Sequence, residues 1–128
     1  MSNEKEDTVE QTHELVHETW SEYFDAASRE LFNAPVSIEI ETPPWPPQTE
    51  VDRLALQLLT YDRRNDVFEV AAAQGGPHLP DVVRHMVDHP QRILVDSSML
   101  AAPITIIVDD REGVRTLIKI EHPPDFSG

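Results

Sequence analysis

The spacing of the apolar residues changes at Pro35, and this change limits the folds that the chain can adopt. Before Pro35 the apolar residues recur every three or four positions, which is typical of an amphipathic helix. This stripe consists of Val16, Trp20, Tyr23, Phe24, Ala27 and Leu31. After Pro35 apolar and polar residues alternate, which is typical of a strand with one buried face. The sequence therefore predicts an α+β fold.

The first predicted element is a long N-terminal amphipathic helix over residues 8–33. Asp7 or Thr8 can cap its first turn, and Asn33 is a plausible C-terminal cap. Pro35 prevents the helix from continuing, because proline has no backbone N–H and its ring clashes with the preceding turn.

The rest of the chain predicts a mostly antiparallel sheet of about six strands and one short extra helix. The strands are expected near residues 36–40, 52–61, 68–72, 92–96, 104–108 and 114–120. In the second strand, Leu54, Leu56 and Leu58 are expected on one face. Pro80 and the valines that follow it predict the short helix, which ends before Pro90.

Packing the helix stripe on the apolar face of the sheet would bury both surfaces. A chain of 128 residues can bury one such core, so we predict a single domain over residues 8–122. Residues 1–7 are expected to form a disordered acidic tail, and residues 123–128 a flexible C-terminal tail.

The formal net charge of −14 disfavours nucleic-acid and anionic-membrane partners, because both depend on Lys and Arg to neutralise phosphates. No apolar run approaches the ~20 residues that span a bilayer, and no apolar stretch near Met1 indicates a secretory signal, so a cytoplasmic protein is expected. Such an acidic, lysine-poor chain fits a cytoplasm with high salt, but equally an ordinary acidic protein from a GC-rich genome. The absence of cysteine excludes thiolate chemistry.

One motif resembles that of a zinc peptidase, because His13, Glu14 and His17 match H-E-x-x-H. In that motif two histidines one helical turn apart bind zinc, and the glutamate activates water. The predicted helix would satisfy that spacing. Against this hypothesis, no strand precedes the helix, no third ligand follows at a recognised spacing, and both histidines extend the apolar stripe. A zinc-dependent hydrolase is therefore the alternative interpretation, and no metal site, catalytic residue or cofactor is predicted.

Two further groups of residues allow more than one interpretation. His85 and His89, with His78 and Asp81 or Asp88, could form a metal site, but histidines on the exposed face of the short helix are the favoured interpretation. Trp45 lies among four prolines. It could belong to a polyproline docking segment, but a tryptophan that packs back as the anchor of a rigid loop is favoured.

Three segments of the chain resemble an uncharacterised bacterial family, a domain of unknown function. They are Trp20-x-x-Tyr23-Phe24-Asp25, the segment from Leu59 to Val70, and His89-Pro90-x-x-Ile93-x-Val95-Asp96. The resemblance covers most of residues 18–120 and implies a helix followed by a β meander, but no activity. His13 and His17 lie outside it.

Together these features predict a small, acidic, non-enzymatic domain that binds a protein partner, a small ligand or a second copy of itself. The prediction rests on the two free edges of a meander, which can pair with another strand. A homodimer is expected because symmetric homo-oligomers are common.

Overall fold

The computed structural model describes residues 12–74, 81–97 and 100–122. Within these ranges the chain forms eight strands, one α-helix and one 3-10 turn. The elements are β1 (His13–Glu14), the 3-10 turn (His17–Thr19), α1 (Trp20–Glu30), β2 (Pro35–Glu41), β3 (Gln48–Asp62), β4 (Val67–Gln74), β5 (Asp81–Asp88), β6 (Pro90–Val95), β7 (Ile104–Asp110) and β8 (Arg115–Ile120). The predicted tails, 1–7 and 123–128, lie outside the described residues.

All eight strands belong to one sheet, in the order β1-β6-β7-β8-β2-β3-β4-β5, and every neighbouring pair is antiparallel. The centre is β2, which pairs with β3 on one side and with the last described strand, β8, on the other. Val36, for example, lies opposite both Leu54 and Ile120. The α+β class and the antiparallel sheet are therefore confirmed.

The sheet is rolled, because two strands from its opposite ends follow each other in the chain. β5 is the last strand of the order, β6 is next to the other end, and only His89 lies between them. A single residue separates its neighbours by about 7 Å at most. His89 makes the bend with a left-handed backbone (φ 55°), and its carbonyl accepts a hydrogen bond from the Arg111 N–H at 3.2 Å. We call the gap between β5 and the β7–β8 turn the seam.

The core lies on the inner face of this roll and is completed by α1. The largest side chains that are almost fully buried are Trp20, Phe24, Phe68, Ile38, Leu56 and Leu59, followed by isoleucines of β6, β7 and β8. Phe24 of α1 meets Phe68 of β4 edge to face, with ring centroids 5.0 Å apart. The predicted packing of a helix stripe on a sheet is therefore present, although the helix is shorter.

The length of the first helix was predicted wrongly: α1 covers Trp20–Glu30 and not residues 8–33. Among the residues before it that the structure describes, His13 and Glu14 pair with Val95 and Leu94 of β6. The Leu15 N–H continues this ladder by donating to the Ile93 carbonyl at 2.8 Å. The edge of β6 satisfies backbone groups that a helix would have satisfied internally, so tertiary pairing overrides the local pattern.

The short second helix was also predicted wrongly. All eight residues of β5 pair with β4, from Val67 opposite Asp88 to Gln74 opposite Asp81. Three of the eight are valines, which favour strands, and β4 would otherwise end the sheet as an exposed apolar edge. With β1 and β5 added, the sheet has eight strands instead of about six.

The remaining strands agree with the prediction, except for the faces of β3. The register of β3 on β4 shifts between Leu56 and Leu58, and such a bulge reverses the side to which the following residues point. Leu56 and Leu59 are consequently the buried leucines, while Leu54 and Leu58 are half-buried. The hairpin of β7 and β8 has Gly113 in its turn with φ 85°, a conformation that favours glycine.

Candidate functional site

The structure does not arrange the H-E-x-x-H motif as a zinc site. His13 and Glu14 are consecutive residues of β1, and consecutive strand side chains point to opposite faces. His17 lies in the 3-10 turn, where its ring is 4.3 Å from that of Trp20, centroid to centroid. No three His, Asp or Glu side chains among the described residues are placed to hold a metal ion. The helical geometry on which the zinc hypothesis depended is therefore absent.

His17 belongs instead to a polar network centred on Asp66, which we call the Asp66 network. The Tyr61 hydroxyl donates to Oδ1 of Asp66 at 2.7 Å, and Nε2 of His17 lies 3.4 Å from that hydroxyl. Nδ1 of His89 lies 3.1 Å from Oδ2 of Asp66, and the His89 N–H donates to the Asp66 carbonyl at 2.9 Å. The network thus joins the β3–β4 turn to the bend between β5 and β6.

Both ionisable members of the network with shifted pKa values are held in their ordinary charge state. The hydrogen bond from Tyr61, with a smaller contribution from His89, keeps the pKa of Asp66 below its usual value. Burial and the bond to Asp66 raise the pKa of Tyr61 to about 12. At neutral pH Tyr61 is therefore a donor and Asp66 an acceptor, which is the arrangement of a structural link.

Asp62 stabilises the β3–β4 turn directly. Its Oδ1 accepts from the N–H groups of Arg64 and Asn65, and its Oδ2 accepts from the Asn65 side chain at 2.7 Å. Sequence reasoning missed that Asp66 also binds His89, which is 23 residues further along. No local pattern signals a contact at that separation.

A different part of the surface is exposed and apolar: the free edge of β5. Val82 and Met86 are 51% and 54% exposed, and Val83 is exposed as well. β5 pairs with β4 along its whole length and ends the sheet. The opposite end is β1, which has only two residues. β5 is therefore the long free edge of the described sheet.

The seam beside this edge contains a cavity of about 200 Å³, which we call the seam cavity. It is lined by Ile40, the residues from His85 to His89, the turn Asp110–Glu112, Val114 and Thr116. These residues come from β2, β5, the β7–β8 turn and β8, so only the rolling of the sheet brings them together.

Two polar side chains of the seam cavity have no hydrogen-bond partner among the described residues. One is Thr116, which is only 1% exposed. The other is His85, whose pKa is lowered by burial, against a weaker opposite effect of Glu50. Buried polar groups ordinarily have partners, so the unpartnered Thr116 hydroxyl, which lines a cavity beside the half-buried His85, indicates a place for a ligand.

His85 and His89, which were predicted on a short helix, are therefore not on a helix. His85 and His89 are four residues apart in extended backbone, a separation of about 13 Å, and not one helical turn apart. Both line the seam cavity together with Asp88, whereas Asp81 begins β5. His78 lies outside the described residues.

Trp45 does not pack into the body of the protein, so the favoured prediction for it was wrong. The residue is 68% exposed, although its backbone N–H donates to the Thr42 carbonyl within the loop. With Thr42, Pro46 and Gln48 it lines a second cavity, of about 240 Å³, which shares Ile40 with the seam cavity. Trp45 therefore lies on the same side of the molecule as the seam.

Comparison with known proteins gives a family without an activity. Residues 11–127 match the family of unknown function DUF5335. An uncharacterised protein of Aquifex aeolicus (strain VF5) is 32% identical over 110 residues, which is 86% of this chain and 92% of that protein. No solved structure is significantly similar to the chain. Among the described residues, no helix has the length and apolar character needed to cross a membrane.

Proposed function

Because the chain belongs to DUF5335, a family of unknown function, we propose a function from the surface of the molecule: a non-enzymatic cytoplasmic module that binds an extended segment of a partner protein along the free edge of β5. The observation that carries the proposal is this eight-residue edge with its exposed valines and methionine. An unpaired strand edge offers a row of N–H and C=O groups, and an added strand satisfies them while its side chains contact the edge residues.

The charge of the molecule favours a basic partner segment. The chain carries a net charge of −14, and Asp81 and Asp88 stand at the two ends of β5. Complementary charge steers a partner to its site and penalises acidic competitors. We therefore expect the bound segment to alternate apolar residues with lysine or arginine.

Self-pairing of two β5 strands is less favourable. In an antiparallel pair, the register that places Val82 opposite Met86 also places Arg84 opposite its own copy. Shifting one strand by one residue from that register places Asp81 of each copy opposite Asp88 of the other. Like charges directly opposite one another destabilise a strand pair, so a second copy fits this edge less well than a basic partner does.

Trp45 supplies a second contact for a partner that extends across the seam. Exposed tryptophans are enriched among residues that dominate binding energy, because a large ring buries much area at little cost in side-chain entropy. Ile40 lines both the seam cavity and the cavity beside Trp45, so one bound segment can reach both.

The test uses a fluorescent eight-residue peptide that alternates valine and lysine, titrated by anisotropy at about 0.15 M salt, where long-range attraction is largely screened. We expect saturable binding, at least about tenfold weaker binding of the same peptide with glutamate for lysine, and no binding when prolines replace the central valines. Hydrogen exchange of the β5 amides should slow when the basic peptide is added.

Matched variants locate the binding surface. The double variant Val82→Ser/Met86→Ser should weaken binding, whereas Phe32→Ser, which changes a comparably exposed apolar residue between α1 and β2, should not. Equal binding of the proline peptide would reject the edge as the site. A dimer in analytical ultracentrifugation that the β5 double variant abolishes would replace the basic partner with a second copy of the chain.

A further inference from the structure

The seam cavity lies where an added strand would direct its side chains. Val87 of β5 is buried on the inner face of the roll, and His85 shares that face because it is two residues away. Both line the cavity. Alternate residues of a strand paired with the β5 edge would therefore point into it.

The walls of the cavity suit an aliphatic chain that ends in a polar group. Ile40, Val87 and Val114 contribute apolar surface. The Thr116 hydroxyl and the His85 imidazole, which lack partners among the described residues, provide acceptors. Burying the Thr116 hydroxyl without a hydrogen bond costs free energy, which a donor from a ligand would recover.

The charges around the opening favour a cation. Three carboxylates line the cavity, those of Asp88, Asp110 and Glu112, against the one guanidinium of Arg111. Asp110 Oδ1 already accepts from the N–H groups of Glu112 and Val114. The carboxylates of Asp88 and Glu112 form no ion pair with any described residue.

We propose that the seam cavity is a pocket for a lysine side chain of the bound segment, with the methylene chain along Ile40 and Val114, the ammonium group donating to Thr116 and His85, and the carboxylates at the opening attracting the cation. The proposal rests on the proposed function for its partner, but the pocket itself is testable without one. On this proposal, the pocket selects lysine over an uncharged residue of similar length.

The probe is n-butylammonium, which has the size and charge of the end of a lysine side chain. In a titration of the full chain followed by NMR at pH 7.5, we expect saturable shifts at His85 and Thr116. Butan-1-ol and butyrate at the same concentrations should leave these signals at least about fivefold less affected, because neither supplies the cation.

Three variants separate this pocket from general attraction of cations to an acidic protein. Thr116→Val keeps the shape of the side chain and should weaken butylammonium binding at least about tenfold, the value of one hydrogen bond from a charged group. Arg111→Gln should strengthen it, because it removes the like charge at the opening. Arg29→Gln changes the net charge equally on the exposed side of α1 and should have no effect.

The two proposals fail separately. Absence of shifts at His85 and Thr116, equal effects of butan-1-ol, or weaker binding by Arg111→Gln would overturn the lysine pocket. If butylammonium binds but the valine–lysine peptide does not, the pocket stands and the proposed function fails. If the peptide binds equally well with norleucine for every lysine, the edge stands and the pocket fails.

Discussion

Asp66 and His89 are non-glycine residues with left-handed backbones, at φ 55° each, and they bind each other through both main chain and side chain. Asp and His tolerate this conformation better than most residues, but each still needs its surroundings to maintain it. The two bonds between them supply this support at the one-residue bend that rolls the sheet. The Asp66 network is therefore a structural requirement for the seam and for the cavity in it.

We expect Asp66→Asn to lower the free energy of unfolding by about 1 kcal/mol or less at pH 7, because the side chain is 40% exposed and solvent weakens its hydrogen bonds. The folded-state pKa of Asp66 is lowered, so its stabilising effect is present above the unfolded value, 3.8, and is lost as pH falls through the folded value. Urea unfolding should show the largest difference from the wild type at neutral pH and a narrowing difference below pH 4. Asp25→Asn, an exposed change on α1, is the control.

The contribution of Tyr61 to the free energy of unfolding has the opposite pH dependence and is lost at alkaline pH. Its folded-state pKa is raised from 10.0 to about 12, so its contribution is complete below pH 10 and is lost as pH rises towards 12. Tyr61→Phe should therefore show a smaller loss of stability than the wild type between pH 10 and 12. A residual slope is expected from Tyr23, whose pKa is also raised, chiefly by burial. Identical slopes in the two proteins would contradict the assignment.

At the scale of elements, α1 is attached to β3 by one side chain as well as by apolar packing. The Ser28 hydroxyl donates to the Leu59 carbonyl at 2.8 Å and accepts from the Leu59 N–H at 2.6 Å. Leu59 lies just after the bulge that reverses the faces of β3. The pairing of β3 with β2 ends at Ala55, so no described strand faces Leu59 on that side, and Ser28 supplies partners for its N–H and C=O.

We expect Ser28→Ala to lower the free energy of unfolding by about 1–3 kcal/mol, because it leaves a part-buried N–H and C=O without these bonds. Ser21→Ala on the same helix is the matched control and should change stability by less than about 0.5 kcal/mol. Equal effects of the two substitutions in chemical denaturation would show that the Ser28 hydrogen bonds to Leu59 do not stabilise the fold.

The N-terminal elements lead to a prediction about metal. Because His13 and Glu14 lie in a strand and His17 in a 3-10 turn, we expect dialysis of untagged protein against zinc to give no stoichiometric binding that His17→Ala removes. One zinc ion per chain in the wild type and none in the variant would restore the hydrolase interpretation.

At the scale of the whole molecule, the net charge of −14 opposes the compact state through self-repulsion. Added salt screens this repulsion, with a Debye length of about 30 Å at 0.01 M and about 10 Å at 0.1 M. The midpoint of unfolding in urea should therefore rise with KCl concentration. A midpoint independent of salt would show that the ion pairs, such as Arg115 with Asp109, balance the repulsion.

The local pattern of the sequence was sufficient to predict the secondary structure where the period of the apolar residues is clear. The strands near residues 36–40, 68–72, 104–108 and 114–120 were all predicted, because strand period acts over a few positions. The stripe from Trp20 to Leu31 was likewise placed in the core correctly.

Only the tertiary structure decided the rest, because the outcome depended on which partners were in reach. Residues 13–14 and 81–88 became strands because the edges of β6 and β4 were available to them. The seam cavity joins His85, Glu112 and Thr116 through a bend at one residue, His89, and no period or spacing in the sequence encodes that proximity. Composition and periodicity determined that this chain forms a helix-covered antiparallel sheet, whereas the closure of that sheet determined which of its residues meet.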